Sequence, residues 1–133
     1  MNEDSRSEDA AAPVQSFATG DGTAEALIRL GTSLGLDAVR IDLAGCSDKT
    51  GLLARTAKAL AFPAWFGGNW DAFYDCLADL GWRETEGWLL VLENTGDLRR
   101  HAPEALDTAV AILGDVAAAW AARGRVFRAF VAA

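Results

Sequence analysis

Asp71, Asp75 and Asp79 stand four residues apart, and no Lys or Arg occurs between Asn69 and Gly81. On a helix turning about 100° per residue, these carboxylates share one side with Tyr74, Ala78 and Trp82. Phe73, Cys76, Leu77 and Leu80 fall on the other, at the i, i+3, i+4, i+7 spacing of a core-facing stripe. Carboxylates four apart repel by roughly 0.2–0.5 kcal/mol per pair. Asp71, nearest the helix start, regains most from the helix dipole. Such acids are usually ordinary solubilising charges. A face with acids, aromatics and no interspersed cations suggests that the cations come from elsewhere. Trp65, Phe66, Trp70, Phe73, Tyr74 and Trp82 crowd the same stretch. Phe66 and Phe73 suit the core, whereas Trp65, Tyr74 and Trp82 do not. Aromatic residues bordering carboxylates make the profile of an interface that captures a basic protein.

Other chemistry finds little support. The chain has no P-loop, dinucleotide fingerprint, HExxH or nucleophile elbow. Its one histidine, His101, follows Arg99 and Arg100 and reads as a surface residue. Acids spaced along one helix give a divalent cation one or two ligands, when a usable site needs oxygens from several elements. Acid–base hydrolysis by Asp71 and Asp75 lacks any sign of a substrate cleft. No enzyme activity, metal or cofactor is expected.

Several elements must position the acidic helix. Phe62-Pro63 closes the preceding element, since proline disfavours helical geometry in the residue before it. Gly67-Gly68 turns the chain, and Asn69 can cap the helix that follows. Upstream, 23–34 reads as a short helix with Thr23 as cap and Gly35 as its end. Residues 38–43 alternate as a strand. Ser47 or Asp48 can cap a helix running to about 61. Downstream, 88–92 is an unbroken apolar run, the pattern of a strand covered on both faces and set mid-sheet. A short turn at 98–102 leads to Pro103 and a long helix to about 123, with Gly124 at its end. The last strand spans 126–131. Helix lies between successive strands, so the expected fold class is α/β, a single domain with a three-stranded parallel sheet and helices packed on it.

The chain has 133 residues, 51% of them hydrophobic, enough for one domain with a real core. Its net charge of −7 argues against direct nucleic-acid binding. Residues 1–22 read as a disordered acidic tail, 23–36 as a helical extension and 37–133 as the globular domain. No segment approaches the ~20 apolar residues of a membrane span, and the acidic N-terminus has no signal-peptide h-region. A cytoplasmic protein, monomeric when free, is expected. A Cys46–Cys76 bridge is disfavoured in a reducing compartment.

The pattern Phe62-Pro63-x-Trp65-Phe66-Gly67-x-Asn69-Trp70-Asp71-Ala72-x-x-Asp75-Cys76-Leu77 closely resembles the signature of the barstar family, intracellular inhibitors of the ribonuclease barnase. The resemblance covers about 37–131. It implies a three-stranded parallel sheet with packed helices, and a loop and helix that occlude a basic ribonuclease's active site. By resemblance, Trp65 covers the catalytic centre, Asp75 takes the place of substrate phosphate, and Asp71 is a second acidic contact. Asn69, Trp70, Tyr74 and Ala78 match neighbouring contacts, and Trp82 roughly matches a rim tryptophan. Asp79 joins this set through the acidic face. The family's last-helix glutamate has no counterpart in 116–120, which points to a ribonuclease other than barnase. The alternative is an immunity or interaction module of the same fold whose target is not a ribonuclease.

Overall fold

The computed structural model describes residues 12–20, 22–81, 83 and 85–133. In chain order the elements are β1 (Val14–Phe17), α1 (Thr23–Ser33), β2 (Asp37–Asp42), α2 (Lys49–Leu60), α3 (Trp70–Asp79), β3 (Gly87–Glu93), α4 (Gly96–His101), α5 (Pro103–Ala121) and β4 (Val126–Ala132). The sheet has four strands in the order β1-β4-β3-β2, and every pairing is parallel. Helix separates each strand from the next, as parallel pairing requires.

The strand that the three-stranded expectation lacks is β1. It is four residues long and lies within the segment read as a tail. Val14 pairs with Ala129 and Phe17 with Ala132. Val14 packs on the main core and Phe17 on the opposite face, so even this short strand serves both layers. Its sequence, Val-Gln-Ser-Phe, is too short for alternation to register, and its hydrogen bonds come from the far end of the chain. The tail reading of residues 1–11 lies outside the described residues.

β3 behaves as its composition implies. Trp88, Leu90 and Leu92 join the core that α2, α3 and α5 cover, whereas Leu89 and Val91 face α1. A strand flanked by neighbours and covered on both faces has no polar side to present. On the α1 side the helix approaches closely at Gly31, where an added Cβ would lie 3.1 Å from Ala38 Cβ and 3.2 Å from Leu89 Cβ. That helix starts at Gly22, with φ 80°, rather than at a Thr23 cap, and no side chain bonds its first turn.

Asp48 caps α2, accepting from the Gly51 amide at 2.8 Å. Cys46 and Cys76 are both buried and free, and burial pushes both thiols upward. At the carboxyl ends of the strands, Thr95 Oγ1 and Arg99 Nη2 both donate to the Ala132 carbonyl, at 2.9 and 2.7 Å, tying α4 to β4. Asp42 accepts from Asn94 Nδ2 and from the Ala44 amide, which lowers its pKa.

Gly87 is the tightest of the described glycines. An added Cβ would stand 2.6 Å from the Val126 carbonyl oxygen and 3.0 Å from Leu36 Cδ2. Gly87→Ala is expected to lower stability by about 1–3 kcal/mol, the usual cost of overpacking. Urea unfolding with an unchanged m-value measures it, and a loss below about 0.5 kcal/mol would show that the strands part without cost.

Candidate functional site

The loop before α3 is held by rings. α2 ends at Ala61 in left-handed geometry (φ 55°), and the Phe62 amide returns to the Ala57 carbonyl at 2.9 Å. Phe62 then packs edge-on against Phe66, with centroids 5.0 Å apart, and against Phe73 at 6.4 Å. Offset and edge-on ring contacts of this kind add about 0.5–1.5 kcal/mol beyond area burial. With Phe62 and Phe66 turned inward, Trp65 is left outside, 59% exposed.

Gly68 takes φ 73° and delivers Asn69 in extended geometry, where its Oδ1 accepts from the Ala72 amide at 2.8 Å. The cap sets the first residue of α3 and hence the phase of every side chain after it. Phe73, Cys76 and Leu77 are buried. Trp120 Nε1 donates to the Leu77 carbonyl at 2.9 Å, fastening α3 to α5. The helix ends at Leu80, buried and left-handed (φ 42°), a conformation that costs a non-glycine residue about 1–3 kcal/mol.

This phase turns Asp71, Asp75 and Asp79 to solvent. Among the described residues none of the three makes an ion pair. Among the described residues, Asp79 accepts only from the nearby Gly81 amide, at 3.3 Å. The nearby cations are engaged elsewhere. Arg83 binds Asp37 through contacts of 2.5 and 3.1 Å. Lys49 Nζ lies 5.5 Å from the centroid of the Trp70 ring. Arg123 Nη2 donates to the Ala78 carbonyl at 2.7 Å. Beneath the acids, the Cys76 thiol is pushed up by burial and further by Asp75 and Asp79, so it stays protonated and unreactive.

The expected contact residues therefore separate. Trp65, Asn69, Asp71, Asp75 and Asp79 are exposed, and Asn69 is also the cap. Tyr74 and Ala78 are half-buried. Trp70 is half-buried too, edge-on to Phe73 at 5.6 Å and covered in part by Lys49. Trp82 lies outside the described residues. Arg123 went unweighed in the sequence. Its only local signal is an arginine just before a helix-ending glycine, and the contact it makes spans 45 positions. Among the described residues no three His, Cys, Asp or Glu side chains converge to hold a metal ion, and no helix is long and apolar enough to cross a membrane.

The structure is thus a parallel α/β domain with one helix capped into solvent, bare carboxylates along it and an exposed tryptophan beside it. The family model described as Barstar (barnase inhibitor) matches residues 36–132, so the chain is a member of the barstar family. β1 and α1 lie outside the matched range. No curated protein matches the chain.

Asn69→Ala should cost about 1 kcal/mol of stability, the usual worth of an N-cap, while Asn69→Asp should cost less than half as much. Thermal unfolding of the two variants checks this; equal losses would mean that the side-chain oxygen does not hold the turn.

Proposed function

We propose that the protein inhibits a basic, barnase-like ribonuclease by occluding its active site. The observation that carries this is the pair Asp71 and Asp75, exposed on a capped helix with no ion pair among the described residues. Membership of the barstar family supports the same reading.

In the mechanism, Asp75 enters the cationic site that normally holds an RNA phosphate, and Asp71 supplies a second acidic contact. Trp65 and Tyr74 lie over the cleft and exclude water, which strengthens the charge pairing they surround. Asn69 and the Phe62–Phe66–Phe73 cluster hold the geometry in advance, so little ordering cost falls on association. The protein binds and does not turn over substrate. Its negative face steers it towards a positive enzyme, so the association rate falls steeply as salt rises.

Asp75→Ala should weaken inhibition of RNA cleavage by about 2–5 kcal/mol, a range whose measured cases include barnase–barstar itself, with the unfolding midpoint unchanged. Trp65→Ala should weaken inhibition by about 1–3 kcal/mol, again with the fold intact. Both are read from inhibition constants against a barnase-like ribonuclease. An Asp75→Ala protein that inhibits within about threefold of the unmodified chain would discard the mechanism. A non-nuclease partner that binds through the same face would favour the interaction-module alternative.

A further inference from the structure

A fixed positive charge sits against the acidic helix. Arg123 lies just past α5, its guanidinium 3.8 Å over the Trp120 ring and donating to the Ala78 carbonyl at 2.7 Å. Trp120 is itself fixed by its bond to Leu77 and by the Trp88 ring, 4.4 Å away. A guanidinium has five N–H donors. Ala78 takes one, and a long 3.5 Å contact from Nε to Ala119 engages another. Arg123 is exposed, and among the described residues no carboxylate lies within ion-pair distance of it. Arg83, by contrast, is neutralised by Asp37. A cleft of about 1230 Å³ opens beside Arg123, walled in part by Asp79 and Arg125, with room for a partner's side chain.

A cation at a helix C-terminus and over an aromatic face is favourable for its own sake. That accounts for where Arg123 sits. It does not make the docking face uniformly negative. Asp71, Asp75 and Asp79 follow one another along α3, and Arg123 is bonded to its last turn at the Ala78 carbonyl, in the cleft that Asp79 also lines. A surface patterned this way favours one orientation of one kind of partner and penalises like charge brought against the arginine.

Resting on the inhibitor reading above, we infer that Arg123 is a specificity-determining residue. It fits a ribonuclease whose cationic cleft is bordered by a carboxylate, and it disfavours one whose positive surface continues past the end of α3.

The test compares the full-length protein with Arg123→Met, which keeps an unbranched apolar stem but removes the charge, and with Arg123→Glu. The probes are barnase and a set of barnase variants in which each surface Lys or Arg is changed singly to Glu. Thermal unfolding of each Arg123 variant is followed alongside. At least one barnase variant should be inhibited about tenfold better than unmodified barnase by the wild-type protein. Arg123→Glu should reverse that order by a similar factor, and Arg123→Met should bring the two within about threefold. A purely structural role lowers stability and leaves the order of probes alone. The same order for all three proteins, including no inhibition of any probe, overturns the inference. If Asp75→Ala abolishes inhibition of every probe while the Arg123 variants leave the order unchanged, the inhibitor reading stands and this inference falls. If inhibition is indifferent to Asp75→Ala, the reading beneath it falls.

Discussion

β3 must be covered on both faces, and the rest of the molecule follows from that requirement. With Trp88, Leu90 and Leu92 on one side and Leu89 and Val91 on the other, no orientation of the strand leaves it half-solvated. One helix, α1, closes one face. On the other face, α2, α3 and α5 share the cover, and α3 contributes Phe73 and Leu77. A ten-residue helix that turns those residues inward has little choice about what it turns outward. The acids are exposed because the core fixes the phase of α3, and the phase is set at its start by the Asn69 cap.

The exposed acids carry a small standing cost. Repulsion between successive carboxylates is worth roughly a few tenths of a kcal/mol, set against a typical net stability of about 5–15 kcal/mol. Neutralising residues were within reach of the fold. Arg123 and Lys49 both approach α3, yet one spends its charge on a carbonyl and an indole and the other on the Trp70 ring. The charge left on Asp71 and Asp75 is therefore available to a partner. A cationic cleft would remove the repulsion and add charge-assisted hydrogen bonds. The same geometry that costs the free protein a little would favour such a complex.

Local rules reached much of this from the sequence alone. The Asn69 cap, the apolar stripe of α3, the Asp48 cap and the doubly covered β3 all rest on neighbours within a few residues, and each is found as expected. What escaped depends on distant partners. β1 exists because β4 offers it a ladder more than a hundred residues later, and its four residues carry no period. Arg123 becomes informative only when α5 is laid beside α3.

Phosphate mimicry makes a claim about how the protein and RNA exclude one another. The direct measurement is the inhibition constant for a barnase-like ribonuclease at increasing concentrations of its RNA substrate, at fixed ionic strength. Competition for one cationic site predicts an apparent constant that rises in proportion to substrate above its KM. A constant that stays flat while inhibition remains complete would place the protein somewhere other than the phosphate site and contradict the account.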